Sequence, residues 1–474
     1  MPFPARFLGR PAQPGGLLAR LFRPHVAAPW DVKSPVRGDL FGIERLEQHA
    51  QSLAAAQSVT GTPPSVLPLR ARLDENATVL LAAYRASALE LESGRGVVPA
   101  AEWLLDNYHL VEEQIREIRD DLPPRYYRQL PKLAQGPFAG YPRVFGLAWA
   151  FVAHTDSNLD PEMLRRFIAA YQRVQPLTIG ELWAVAITLR IVLIENLRRL
   201  ADQISVGRAA GAEAGALADR LLAAQSGASQ PLEPADSRLP SGVLSGVFAA
   251  HLAKRLRGLD PQTTPSLGWL EERLSSQGTS IAEVVQDEQQ RQGASNVTVR
   301  NVITSMRLMS DVDWAEFFES VSLVDAQLRP AGGFTAMDFA TRNLYRSAIE
   351  HLARGSSSSE LEIAARLVKE SRTAAAAAAD PTEAERLGDP GYHLLAEGRP
   401  ALEQALDFRP PPRLRLARLG LRLGIGGQEP DDGDHSEHGD GDARQRERPQ
   451  RHQQQRDRHQ QDRSDVPADA QPQA

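Results

Sequence analysis

The chain contains no cysteine in its 474 residues, which excludes a disulfide framework, a thiolate nucleophile and a zinc–sulfur site and suits a reducing cytosol. It also lacks long apolar runs. Residues 1–30 are rich in Pro, Gly and Arg and hold no acidic residue, yet their longest apolar step is Leu17–Leu18–Ala19 before Arg20, too short for a signal peptide. The most apolar segment, Leu182 to Ile194, contains Thr188 and Arg190 and falls short of the roughly 20 residues that cross a bilayer. The net charge of −6 is mild for this length and argues against nucleic acid as a partner. No repeat of fixed period is present. No Gly-rich phosphate loop follows a strand either, because Gly424-Ile425-Gly426-Gly427 leads into a polar tail.

What is present is helix. At 42% apolar residues, the length allows two or three domains of roughly 150 residues with real cores. Capped helix starts recur: Thr178 with Glu181, Ser280 with Glu283, Ser310 with Asp313, Thr335 with Asp338, Ser359 with Glu362, and Asp380 with Pro381 and Glu383. Asp160–Pro161 opens a further helix with Leu164, Phe167, Tyr171 and Val174 on one face. The best strand candidate, Asn296 to Ile303, is crowded with β-branched residues, and even there a helix is the better reading. The expected fold is all-α, a multi-helix bundle-like region with a disordered N-terminal arm and C-terminal tail. Its expected parts are a basic Pro/Gly/Arg-rich arm (1–38), helical domain A (39–204), an Ala/Gly/Pro-rich linker region with a short helix (205–240), helical domain B (241–408), a basic Arg/Leu segment (409–427) and a polar tail (428–474). From Gln428 onward the only aliphatic residue besides alanine is Val466, so the tail cannot offset its ordering entropy by burial.

Several stretches resemble sites. Between Trp103 and Leu133 lie a histidine, acidic pairs, arginines and two adjacent tyrosines. Leu104, Tyr108, Val111, Ile115, Ile118 and Leu122 form one stripe of a helix from Pro99 to Asp121, stopped by Pro123–Pro124. The acids then form a solvated face, Glu112 and Glu113 each pairing with Arg116 for about 0.2–0.5 kcal/mol. His109 beside the stripe reads as a core or boundary group, and Tyr126 and Tyr127 as packing residues. Asp311-Val312-Asp313 matches the short DxD pattern of metal-dependent sugar transfer, but its position before Trp314-Ala-Glu-Phe-Phe318 makes Asp313 a helix-capping residue. Of the six tryptophans, all but Trp30 lie in helical apolar patterns and read as core. Asn296-Val297-Thr298 is a formal glycosylation acceptor without a secretory signal. His435, His438, His452 and His459 fall in the polar tail, where no folded metal site is indicated. Arg190, inside the apolar run, needs a buried acid such as Glu195. No residue is assigned a catalytic, cofactor-binding or metal-binding role.

Six segments together carry a resemblance: Leu40–Gln57, Pro99–Leu133, Gly140–Ser157, Val174–Ala201, Ala294–Asp325 and Asp389–Arg399. They closely resemble the N-terminal region of the bacterial cyclic β-1,2-glucan synthases, from about Asp39 to about Pro412. The resemblance implies a cytoplasmic helical region of an inner-membrane enzyme, followed there by membrane helices, a glycosyltransferase domain using UDP-glucose and a domain similar to glycoside phosphorylases. The family's acidic metal-binding motif and its Gln-x-x-Arg-Trp motif lie downstream, and no tryptophan here follows an arginine, so no catalytic residue carries over. The resemblance fades at 413–427, which implies a truncated or frame-shifted product. The expected partners are the membrane and glycosyltransferase domains of the intact synthase, with Arg413, Arg415, Arg418 and Arg422 facing an anionic membrane surface. The alternative is an independent helical module for protein or membrane interaction. An enzyme in its own right is disfavoured by the want of any convergent motif.

Overall fold

A computed structural model describes residues 33–94, 96–227, 242–257, 265–331, 333–411 and 415. The described residues form eighteen α-helices and one short antiparallel ribbon, the all-α architecture expected. Among them no helix is long and apolar enough to cross a membrane. The 1–32 arm, the end of the 205–240 linker, Arg413, Arg418, Arg422 and the 428–474 tail lie outside the described residues, as do Trp30 and the tail histidines.

Local chemistry sets the helix starts. Ser280 accepts from the Glu283 amide at 3.3 Å while the Glu283 carboxylate accepts from the Ser280 amide at 2.9 Å, and Ser359 with Glu362 repeats the exchange. Asp160 and Asp380 cap helices whose first residue is proline. Two expected boxes are built differently. Ser310 stays inside helix Ile281–Asp311, and Asp313 is itself the cap of Trp314–Val321. Thr335 lies in the 3-10 turn Phe334–Ala336, and Asp338 caps Phe339–Gly355. In both cases a carboxylate reaches the free amides of its own helix start directly, leaving the upstream hydroxyl no role there.

The helix expected from Pro99 to Asp121 is divided at Asn107, whose φ of −120° and ψ of 16° separate Pro99–Asp106 from Tyr108–Asp121. The Asn107 amide nitrogen donates to the Trp103 carbonyl at 2.9 Å, a local bond that competes with the helical ladder. The break leaves the stripe intact, with Leu104, Tyr108, Val111, Ile115, Ile118 and Leu122 all buried. Residues 296–303 are helical, inside Ile281–Asp311.

The organising element is helix Ile179–Gly227, whose 49 residues span roughly 70 Å. It packs against helices Leu69–Glu92, Tyr108–Asp121, Arg143–His154, Gly246–Leu256 and Ile281–Asp311. Such encirclement explains why the Leu182–Ile194 run is apolar on every side. The helix passes unbroken through position 205, where the sequence reading places a linker; Ala209, Ala210, Ala212, Ala214 and Ala216 supply the helix propensity that the interspersed glycines lower. Gly211 allows the close approach of His251, whose Nδ1 would lie 3.3 Å from a Cβ there. One apolar cluster draws on residues from Val36 to Leu406, taking in both sides of the 205–240 segment. A smaller second cluster, from Ala214 to Val284, surrounds the far end of the long helix.

The ribbon pairs Val59–Thr60 with Lys132–Leu133, Val59 opposite Leu133 and Thr60 opposite Lys132. Gly140 closes the neighbouring turn at φ +87°, where a Cβ would stand 2.7 Å from the Pro64 carbonyl oxygen. Residues 33–42 cross the body as an extended strap. Asn196 clasps the Val36 backbone, accepting from its amide at 2.7 Å and donating to its carbonyl at 3.3 Å. Arg199 donates to the Ser34 carbonyl at 2.9 Å, and the Gly38 and Phe41 amides donate to the carbonyls of Ala153 and His154. The strap thus begins within the 1–38 segment assigned by composition to a disordered arm. Main-chain bonds of this kind need no side-chain pattern and leave no mark in composition.

Candidate functional site

The charged groups that catch the eye in the interior are arranged along the long helix as three separate ion-pair assemblies. At its start, Thr178 and Glu181 form the expected capping pair, the Thr178 amide donating to Glu181 at 3.0 Å. The same carboxylate is gripped by Arg143, whose Nε and Nη2 donate at 2.8 and 2.5 Å. Arg143 also donates to the Pro176 carbonyl at 3.0 Å, so one guanidinium joins helix Arg143–His154 to the turn ahead of the long helix.

Two turns further, Arg190 donates to Gln114 at 3.0 Å and pairs with Glu117 at 3.3 Å. A buried structural ion pair is thus formed, but not with Glu195. Five residues along a helix turn the side chain by roughly 140°, so Glu195 points to the opposite side. There it accepts from Arg72 at 2.9 and 3.1 Å, from Asn76 at 2.9 Å and from Arg199 at 2.8 Å. Burial pushes the Glu195 carboxyl upward, and the Arg72 and Arg199 guanidiniums outweigh that, holding it below its ordinary range. Arg199 further stacks over Trp149 at 4.9 Å.

A similar assembly lies in the C-terminal half. Fully buried Arg346 donates to both oxygens of Asp325, at 3.0 and 2.5 Å, and to Glu319 at 2.6 Å, between the rings of Phe318 and Phe339. The sequence reading missed Arg346, Arg143 and Arg72. The available mark was an arginine three or four positions from apolar residues of a buried face, as Arg346 is from Ile349.

Two ionisable groups are left in less balanced surroundings. Glu360, at the start of helix Glu360–Ala377, accepts from the Ile179 amide at 2.7 Å across to the long helix. Burial, with Glu350 and Glu181 nearby, raises its carboxyl from 4.5 to about 7. Lys132 is buried over the Tyr127 ring at 3.6 Å and donates to the Tyr127 carbonyl at 2.5 Å. Its burial lowers the ammonium to about 8.

The candidates named from sequence do not converge. His109 is exposed, which corrects the expectation of a core or boundary group: the stripe turns away from it. The expected pairs of Glu112 and Glu113 with Arg116 are replaced by ion pairs running to other helices, Glu117 to Arg190 and Arg119 to Asp74 at 2.7 Å. Tyr126 is buried and donates to the Gly180 carbonyl at 2.5 Å. Asp313 accepts from the Ala315 and Glu316 amides at 3.0 Å, a cap, while Asp311 is exposed at the end of the preceding helix. Trp103, Trp149, Trp183 and Trp314 pack on the main core and Trp269 on the smaller one; Trp183 stacks on Phe318 at 4.3 Å. Asn296-Val297-Thr298 is in mid-helix, with Thr298 buried. Among the described residues, no three His, Cys, Asp or Glu are grouped to hold a metal ion.

An open cleft of about 560 Å³ lies between helices Pro381–Gly388 and Pro390–Leu395, lined by Thr382, Glu385, Arg386, Asp389, Tyr392 and Glu397. Its aromatic ring is crowded by residues of the cleft itself. Arg386 stands 5.1 Å from the Tyr392 centroid and pairs with Glu397 at 3.4 Å, and Gly398 approaches so closely that a Cβ would lie 2.9 Å from the ring. The chemistry of the interior is thus that of positioning, with guanidiniums from neighbouring helices locking carboxylates of the same body.

No family model matches the chain. It is similar to a protein described as cyclic beta-(1,2)-glucan synthase NdvB from Rhizobium meliloti (strain 1021), with 39% identity over 403 residues. That similarity takes in 83% of this chain but only 14% of the relative, so the chain spans a small part of the protein it matches. It agrees with the resemblance carried by the six segments quoted above.

Proposed function

We propose that this chain is the non-catalytic N-terminal helical region of a cyclic β-1,2-glucan synthase, serving as a scaffold for the glucosyl-transferring parts of that enzyme. The observation that carries the reading is the 39% identity extending over 83% of the chain. Similarity on that scale takes in most of the chain. The interior supports the scaffold role: Glu181, Glu195 and Asp325 are each held by guanidiniums, an arrangement that fixes helices. On the same reading, the body packs against the membrane and glycosyltransferase domains of the synthase on the cytoplasmic side.

Two experiments test this. Exchanging the matched part of the Rhizobium synthase for this chain should give a hybrid that still makes cyclic glucan; a folded hybrid that makes none would overturn the assignment. The chain alone, incubated with UDP-glucose and Mg²⁺ or Mn²⁺, should incorporate no glucose, and measurable glucan would overturn the non-catalytic role. The membrane partner is tested apart from both. Anionic liposomes should float the chain, and replacing Arg413, Arg415, Arg418 and Arg422 by Gln should weaken that flotation; equal flotation removes the lipid contact.

A further inference from the structure

The strap ends against two histidines. His154 closes helix Arg143–His154, and its Nδ1 lies 2.7 Å from the Asp39 carbonyl oxygen. A carbonyl can only accept, so Nδ1 carries the proton of this bond. The Phe41 ring stacks on this imidazole at 4.0 Å with an interplanar angle of 7°, and the Arg45 guanidinium stands 4.3 Å from the Phe41 ring centroid. The backbone of Gly38 also presses on the imidazole, since a Cβ there would lie 2.8 Å from Cε1. His49, on helix Ile43–Ala56, approaches edge-on, 4.6 Å from His154 and 5.5 Å from Phe41.

Two of the nearby acids are engaged elsewhere. On the histidine's own helix, Glu47 is held by Arg166 at 2.5 Å from helix Pro161–Gln172. Just past His154, Asp156 is held by Arg37 of the strap at 3.1 Å and accepts from Thr298 of helix Ile281–Asp311 at 2.6 Å. Asp39 meets His154 through its carbonyl. Burial, and then the charge of His154, lowers His49 below its ordinary 6.5.

We propose that the Phe41–His154–His49 stack is an acid-released latch on the N-terminal strap, closed while at most one imidazole is charged and opened when both are. One charged imidazole leaves the bond to Asp39 in place and adds a cation beside the Phe41 ring. A second sets two cations with ring centroids 4.6 Å apart, with Arg45 over the ring they share. Withdrawing Phe41 hydrates both imidazoles and separates them from that ring. Because the open form takes up the second proton more readily, closure is favoured above pH 6.5 and lost as pH falls below it. The opening constant rises by at most about tenfold per pH unit for each proton taken up on opening. The latch is independent of the glucan-synthase reading.

The absence of native cysteine makes the test clean. Leu40 is 66% exposed, so Leu40→Cys in the full chain gives a single site for a nitroxide label on the strap. Its mobile fraction should rise severalfold between about pH 8 and pH 5 while far-UV helicity is unchanged. His49→Gln should remove that rise. Gly38→Ala, which drives a methyl into His154, should give the mobile spectrum already at pH 8 and so calibrate the readout. The proposal is overturned by an undiminished pH response in His49→Gln, by a strap that stays immobile at pH 5 while Gly38→Ala is mobile, or by helicity lost in step with strap mobility.

Discussion

Removing the Glu195 carboxylate would leave the Arg72 and Arg199 guanidiniums facing each other in the interior. Glu195→Ala should therefore cost about 3–5 kcal/mol in urea unfolding, far more than a solvent-facing substitution such as Glu112→Ala. A loss under 1 kcal/mol would show that Arg72 and Arg199 reach water instead. Glu360 supplies the opposite sign. Its carboxyl is raised from 4.5 to about 7 in the folded chain, so its contribution is fully present below pH 4.5 and fades as pH rises through 7. Glu360→Gln, which keeps an acceptor for the Ile179 amide, should match the parent at pH 4.5 and exceed its stability at pH 8 by up to about 3 kcal/mol. Parallel stability curves for the two would remove the buried-proton account. At this scale the sequence told that Arg190 required a buried partner, because a cation in an apolar run has few alternatives. It could not tell which partner, since Gln114 and Glu117 are brought to it by tertiary packing alone.

At the scale of the element, most of the helical architecture was legible. Hydrophobic periodicity found the buried stripe from Leu104 to Leu122, and cap chemistry found the starts at Thr178, Ser280, Ser359 and Asp380. The errors have local causes: Asn107 turns its side chain onto the backbone and divides a helix that periodicity alone would continue. Asp313→Ala should cost about 1 kcal/mol, the usual value of an N-cap, whereas Asp311→Ala should stay within about 0.5 kcal/mol. Equal effects of the two, or a divalent-metal stabilisation abolished by both, would restore the metal reading of Asp311-Val312-Asp313. The long helix was the hardest element to read. Its second half is Ala- and Gly-rich, a composition shared by linkers and by helices that cross closely, and only a partner such as Gly246–Leu256 decides between them.

Across the whole molecule, one helix serves two cores of unequal size. The smaller buries less apolar surface and should open first. Amide hydrogen exchange should thus be faster at Ala214, Leu217, Ala218 and Leu221 than at Val192, Leu193, Ile194 and Leu197, although all eight lie buried in the same helix. Uniform protection along the helix would mean that both cores unfold as one. The candidate site was legible chiefly as the expectation that its acids and aromatics belong to helix faces and cores. The two-histidine contact went unseen because His49 and His154 are separated by more than a hundred residues and are brought together only by tertiary packing. The reach of the larger core also bears on biosynthesis. Because it needs Val36 and Leu406 together, a nascent polypeptide leaving the ribosome cannot seal that interior until almost all of the helical body has been translated, and chaperones would meet its uncovered apolar faces in the meantime.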